Sequence, residues 1–415
     1  MLLSQGQGFA RENNLIMGRQ DSLSYITVSG KVIDQNAKSP VVFATVYKTG
    51  TSIGTVTNSD GEFILKISGK SEEGTITISY LGFKSKVIPI SGLLKEGNII
   101  TVEPYAVAID EIVIKNINPL DLVKTALSKI KDNYVRTPEM QTGFYRETIK
   151  QNKSYVSISE AVLDIYNAGY KDGFDYDRIK IYKGRKSKDV KKMDTVLVKF
   201  QGGPRTAMFL DVVKNPGFVL DPEFFDKYFY KLAGIVSIDN RDNYVVEFDQ
   251  KLINDNTLYQ GKIYIDKETK AITSVDFKIS DMSLPTAARD LVKKKPAAMK
   301  MDVISGNYLV NYRVIDSKWV LNYVRSEVVF KSKWEKRLFK STITTMFEMA
   351  ITDRDVQNIE KFPGKETVKY SDVLADQVAA FEDNNFWGEY NTIKPDESIQ
   401  VAIEKLNKKL KRSNR

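Results

Sequence analysis

The stretch from Tyr25 to Ile114 constrains the fold more than any other part of this 415-residue chain, because its turns can be placed one by one. At its centre Gly54, Thr55, Val56 and Thr57 lead into Asn58, Ser59, Asp60 and Gly61, and Glu62 and Phe63 lead out again. Asn and Asp side chains bond their own backbone in turns, and glycine adopts positive φ without a Cβ clash, so this run predicts a tight hairpin. Residues 26–33, 41–47, 54–57, 63–67, 75–80 and 83–88 carry Val, Ile, Thr, Tyr and Phe between turn signals. Six short strands at spacings of roughly ten residues predict a β-sandwich.

Composition narrows the chemistry. The chain has no cysteine, which removes disulfides, thiolate metal sites and cysteine nucleophiles, and no histidine, which removes the Ser-His-Asp triad and imidazole-ligated zinc. An enzyme would have to work through carboxylates, hydroxyls, lysine or tyrosine alone. With 42% apolar and 11% aromatic residues the chain can bury two or three cores. No run approaches the roughly 18 apolar residues of a membrane-spanning helix. Its net charge of +9 favours anionic surfaces, either lipid head groups or an acidic partner.

Residues 1–10 have Gly8 and Ala10 in a small-x-small pattern, read either as the remnant of a secretory signal or as a plain flexible start. Residues 11–24 read as a flexible lead, and 25–115 as the sandwich. Asn118 and Pro119 are a helix cap and first-turn proline, and Leu120, Val123, Leu127, Ile130 and Tyr134 predict one helix to about Val135. From Thr142 the period becomes two. Strands are expected over 142–151, 155–166, 178–183, 195–200, 232–238, 244–249, 258–265, 272–279, 301–315, 319–331 and 337–351, with short helical pieces at 207–214 and 222–228 and a basic interruption at 284–300. These make 116–370 an α+β domain on one large curved antiparallel sheet, and partial alternation predicts that one face is wet. Residues 371–415 read as a tail. In it Phe381, Phe386, Trp387 and Tyr390 accompany an acidic stretch, and Asp396 caps a last helix with Ile399, Ile403, Leu406 and Leu410 on one stripe and Lys405, Lys408, Lys409, Lys411 and Arg412 at its end.

Val28 to Val32, Pro40 to Val46, Gly54 to Phe63 and Ile78 to Phe83 together resemble the carboxypeptidase-regulatory-like domain. The resemblance implies a seven-stranded, transthyretin-like sandwich, similar to the domain that opens many TonB-dependent outer-membrane transporters of the Bacteroidota, with Ile109 to Ile114 as closing strand. The usual Thr-Asp before the turn is Thr57-Asn58 here. Neither peptidase chemistry nor a transporter barrel follows. The segment Tyr259 to Ile272 is similar to hairpins of lipoprotein-carrier-like half-barrels, in which a curved sheet wraps helices and can hold an acyl chain.

Several constellations invite a sharper reading. Ser128 and Lys131 form S-x-x-K and Lys48, Thr49 and Gly50 form K-T-G, but in the wrong order and without S-D-N for a penicillin-recognising serine enzyme. Asp172, Asp175 and Asp177 lack the EF-hand pattern and read as a solvated turn. Asp60, Glu62, Asp353 and Asp355 read as ordinary turn or surface carboxylates. The basic runs Lys183 to Lys192 and Lys293 to Lys295 lack aromatic interleaving, so they read as solvated faces and nucleic acid is excluded as a partner. No catalytic, cofactor-binding or metal-ligating residue is singled out, and no cofactor is expected. The expected function is a non-enzymatic, periplasmic, outer-membrane-associated accessory subunit docking on an outer-membrane protein or assembly, with anionic lipid as a second partner. The alternatives are a carrier of a lipid or other apolar ligand in the curved sheet, and a histidine-free hydrolase.

Overall fold

The computed structural model describes residues 25–69, 73–105, 117–171, 176–188, 203–253, 255–292, 297–335, 340–380 and 386–413. The sandwich is made of β1 (Tyr25–Asp34), β2 (Thr45–Lys48), β3 (Gly54–Val56), β4 (Glu62–Ser68), β5 (Thr75–Ser79), β6 (Lys86–Pro89) and β7 (Asn98–Val102). Strand order is β4-β1-β7 in one sheet and β3-β2-β5-β6 in the other, so the seven strands implied by the resemblance are present. The hairpin forms as its residues dictate: Asn58 Oδ1 accepts from the backbone N–H groups of Asp60 and Glu62 at 2.9 and 2.8 Å, and Gly61 sits at φ 74°. A Cβ on Gly61 would lie 2.8 Å from the Val32 carbonyl oxygen. Val28, Val32, Val46, Phe63, Leu65, Ile67, Ile76, Ile78 and Ile100 close the core, each such burial contributing about 1.5–3 kcal/mol. The expected closing strand at 109–114 lies outside the described residues; β7, parallel to β1, is the seventh strand seen.

Beyond the sandwich, Asn118 caps α1 (Pro119–Ser128) by accepting from Leu120 and Asp121 N–H. The expected single helix is split. Lys129, at φ −91° and ψ 2°, breaks it before α2 (Ile130–Asn133), and Tyr134 then turns inward to donate to the Ile272 carbonyl. The strands β8 (Glu139–Gln151), β9 (Ser154–Asn167) and β10 (Arg178–Lys188) precede α3 (Gly203–Phe209). A long meander follows through β11 (Tyr228–Ile238), β12 (Arg241–Gln250), β13 (Tyr259–Asp266), β14 (Ile272–Ile279), α4 (Leu284–Leu291), β15 (Met299–Ile315), β16 (Lys318–Trp334) and β17 (Ser341–Asp355). The chain ends with α5 (Leu374–Gln377), β18 (Ala379–Ala380) and α6 (Glu397–Ser413). The hairpins at Asp239-Asn240 and Asp316-Ser317 hold both central residues at positive φ, the geometry that matches strand twist.

All strands from β8 to β18 belong to one curved sheet in the order β11-β12-β13-β14-β15-β16-β17-β8-β9-β10-β18, antiparallel except for the last pair. One face carries Tyr145, Leu163, Ile165, Val246, Ile263, Val275, Phe277, Val310, Tyr312 and Val324 into the main core, under α1, α3 and α4. Partial alternation in the sequence predicts a wet second face. Over β8, β9, β16 and β17 it is instead covered by the sandwich and the tail, which is why β9 is buried at consecutive positions rather than at alternate ones. The predicted interruption at 284–300 contains α4, and the expected strand at 195–200, Asp189 to Lys192, Lys293 to Lys295, Asp172 to Asp175 and Phe381 lie outside the described residues.

Candidate functional site

The second face of the sheet is where separated parts of the sequence meet. On β8, Arg146 projects toward it between Glu160 on β9 and Glu348 on β17, which the strand register places directly opposite. Arg146 Nε donates to Glu160 Oε1 at 2.7 Å and Nη1 to Glu348 Oε1 at 2.9 Å, while Arg185 Nε donates to Glu160 Oε2 at 2.8 Å. Tyr323 donates its hydroxyl to Glu348 Oε2 at 2.8 Å. Burial pushes the Glu160 carboxyl up, but the two guanidinium groups outweigh it and hold it below the usual carboxylate range. The third nitrogen of Arg146 donates to the carbonyl of Ile393 at 2.6 Å, and the Arg185 guanidinium lies 4.6 Å from the centre of the Trp387 ring. Arg185 is thus buried in an ion network and not on the solvated face its lysine-rich neighbourhood predicted.

The tail laid over this network also holds the sandwich. Asn391 exchanges two hydrogen bonds with the Lys66 backbone, Thr55 donates to the Thr392 carbonyl at 3.0 Å, and Lys394 pairs with Glu62 at 2.8 Å. Asp60 accepts from the N–H of Glu397, Asp396 caps α6 through the N–H of Ile399, and Ser52 donates to Asp353. Asp60, Glu62 and Asp353, which read singly as turn or surface carboxylates, therefore join modules. Ile399, Ile403 and Leu406 pack on Ile158 as their spacing predicted.

Between the sandwich and the sheet lies a cavity of about 420 Å³. Phe43, Tyr47, Tyr80 and Leu81 line it from the sandwich, and Ser274, Asp276, Asn307, Leu309, Asn311, Arg313, Arg325 and Glu327 from β14, β15 and β16. Pockets between modules of this size, at the small end of the range of about 300–1,000 Å³, are the usual place for a small ligand. Phe43 sits at φ 62°, a conformation rare for a bulky side chain. It stacks on Tyr323 at 5.6 Å and under the Arg325 guanidinium at 4.8 Å, so the seam holds it there.

Tyr47 donates to Asp239 Oδ1 at 3.0 Å, and burial pushes its phenol well above the ordinary range, so it stays protonated. Arg313 lies 4.6 Å from the Tyr47 ring centre, donates Nη2 to the Ser52 carbonyl at 2.8 Å, and leaves Nε and Nη1 without a hydrogen-bond partner among the described residues. Burial brings this guanidinium down to about 10, still a cation at neutral pH.

Two carboxyls lie on the opposite, helix-covered face. Asp211 accepts from the hydroxyls of Tyr170 and Tyr312 at 2.6 and 2.7 Å, and burial raises its pKa. Glu147 accepts from Tyr145 at 3.0 Å. The surrounding face is filled by the main core. Of the constellations weighed from sequence, Ser128 is exposed and donates to the Thr125 carbonyl, on a helix remote in fold from Lys48 in the sandwich. Asp177 pairs with Lys214. Among the described residues no group of three or more Asp or Glu could hold a metal ion, and no helix is long and apolar enough to cross a membrane.

Among curated proteins no relative matches this chain. Among solved structures it is similar to a DUF1329 family protein from Desulfovibrio piger, at 14% identity and TM-score 0.24 over 58% of this chain and 95% of that one. It is similar also to a LolA superfamily protein from Nitrosomonas europaea, at 13% identity and TM-score 0.23 over 60% of this chain and 97% of that one. Both scores are too low to show a shared fold. The sandwich is placed more firmly: residues 28–114 match the family described as the CarboxypepD_reg-like domain.

Proposed function

We propose that this chain is a non-catalytic binding protein of the bacterial cell envelope that takes a small ligand at the seam between its sandwich and its large sheet. The observation that carries the reading is the cavity of about 420 Å³ formed jointly by the two modules. Its polar groups suit recognition better than chemistry. Tyr47 is kept protonated beside Asp239, and Arg325 is bonded to Glu327 at 2.9 Å, so these groups hold one another in position and offer no activated nucleophile. What the sandwich resembles supports an envelope compartment. Crystallographic fragment screening of the full chain tests the site: fragments should collect at the seam, and a screen that fills other surfaces while this cavity stays empty refutes it.

The accessory-subunit reading has an observation of its own. Phe229, Leu252 and Ile253 are 62%, 78% and 80% exposed at the end of the sheet where β11 begins and β12 ends, and such an apolar tip suits docking on an outer-membrane protein. A photo-crosslinking residue at position 252 should capture a membrane protein in source-cell envelopes; recovery of uncrosslinked chain in the cytosol would exclude both partner and compartment.

A further inference from the structure

The seam cavity holds hydrogen-bonding groups of both polarities that the protein itself does not use. Resting on the reading of this cavity as a ligand site, we infer that its ligand is neutral and hydroxyl-rich, a small saccharide in class. Asn307 makes no side-chain hydrogen bond among the described residues. Asn311 uses only its carbonyl, which accepts from Ser274 at 2.7 Å, and keeps both amide hydrogens. Asp276 is exposed into the same space with no hydrogen bond among the described residues, and Asp239 uses Oδ1 for Tyr47 and Ser85. The register sets these groups side by side, with Ser274 opposite Asn311 and Asp276 opposite Leu309. Amide donors and carboxylate acceptors in one row are matched by a group that both donates and accepts, and a hydroxyl is that group.

Charge separates this class from its rivals. Asp239, Asp276 and Glu327 face the space against Arg313 and Arg325, and Arg325 is already engaged by Glu327 at 2.9 Å and lies 3.5 Å from Glu348. With Glu327 and Arg325 paired, a phosphate or dicarboxylate would meet two carboxylates, Asp239 and Asp276, against the single remaining guanidinium of Arg313. An acyl chain would cover Asn307, Asn311 and Asp276 without satisfying them, and a buried polar group left unpaired works against the complex. Tyr80 and Leu81 supply the apolar wall that the C–H face of a sugar ring can cover.

The test is saturation-transfer NMR on the full chain with maltose, cellobiose and diacetylchitobiose as neutral probes and glucuronate and octanoate as contrasts. Asn307→Ala and Asp276→Ala serve as variants, since both side chains are exposed and a melt can confirm the fold. At least one neutral probe should bind the parent chain, and each variant should weaken it by about tenfold, the effect of one lost hydrogen bond to a charged or well-placed polar group. Binding of a neutral probe that neither variant changes overturns the inference. So does binding of octanoate or glucuronate alone in a variant-sensitive manner, although the cavity then stands as a site. If no probe binds, the inference falls, and the fragment screen shows whether the seam falls as a site with it.

Discussion

Glu147 offers the most quantitative test of how the large sheet is packed. Its side chain lies on the helix-covered face of β8, 4% exposed, where the Tyr145 hydroxyl donates to Oε2 at 3.0 Å. No cationic group pairs with it among the described residues. Burial, reinforced by the field of Asp376 and opposed by the Tyr145 hydrogen bond, pushes the carboxyl from 4.5 up to about 8. Between those two values the unfolded chain has lost this proton and the folded chain still holds it, so stability falls as pH rises. Each pH unit removes about 1.4 kcal/mol, which across the window from 4.5 to about 8 amounts to roughly 5 kcal/mol, absent below the window and complete above it. Glu147→Gln keeps an acceptor for Tyr145 and abolishes the ionisation. Urea unfolding at pH 5, 7 and 9 should show the two proteins within about 1 kcal/mol of each other at pH 5, and the variant ahead by about 3–5 kcal/mol at pH 9, with unchanged m-values. Parallel pH profiles, or a variant less stable at pH 9, would refute the reasoning, because they would mean that the carboxylate is charged and paired in the folded state.

Leu406→Ala empties a buried site on Ile158 shared with Ile399 and Ile403, and should destabilise the protein by about 2–5 kcal/mol in thermal or chemical melts; an unchanged curve refutes a docked α6. Glu160→Gln leaves Arg146 and Arg185 buried without their shared carboxylate, and should cost about 3–5 kcal/mol at pH 7. Since Glu160 is held below the ordinary carboxylate range, its contribution in the parent chain is full above about pH 4.5 and is lost as pH falls through its folded value, so a variant that keeps the parent's acid transition sinks this account. A fragment of residues 25–105 contains all seven strands of the sandwich and its core, and should unfold cooperatively with dispersed amide resonances; a collapsed spectrum refutes its independence.

The parts of this structure that are local were legible in the sequence. Asn58, Asp60 and Gly61 specify their hairpin through bonds that span four residues or fewer, Asn118 and Asp396 cap the helices that follow them, and Ile399, Ile403 and Leu406 declare a face by spacing alone. The seam was not legible, because its specificity lies in pairings across the fold. Asp60 meets the N–H of a residue 337 positions away, and Asp353 meets Ser52 across 301 positions. Arg146, Glu160 and Glu348 carry no motif that singles them out in the sequence; only the register that brings β17 and β9 beside β8 makes them one buried cluster. Phe43 gave no signal, because a phenylalanine at positive φ breaks its own local preference and is held by Tyr323 and Arg325 from another module. The break of the first helix at Lys129 had the same origin: tertiary anchoring of Tyr134 on Ile272 overrode an uninterrupted apolar stripe.

The seam also explains how a cavity persists between two packed modules. Along one line the sandwich is joined to the tail, through Asn391, Thr392 and Lys394, and the tail is fixed in turn by the bond from Arg146 to the Ile393 carbonyl. Along a second line it is joined to the sheet at the β11–β12 turn, where Tyr47 and Ser85 meet Asp239 and the N–H of Gly82 donates to the Ser237 carbonyl. A buried ion network is weak evidence for stability, since desolvation offsets much of the attraction, yet it tolerates few alternative geometries. Here the network anchors the tail, while direct bonds from Arg313 to the Ser52 carbonyl and from Asn322 to Thr45 Oγ1 set the sandwich against β15 and β16. Collapse of the seam onto the cavity would require breaking Tyr47 from Asp239 or pulling Ile393 off Arg146, each leaving a buried polar group unpaired. Bonds along both lines therefore oppose collapse of the seam, as the proposed binding site requires.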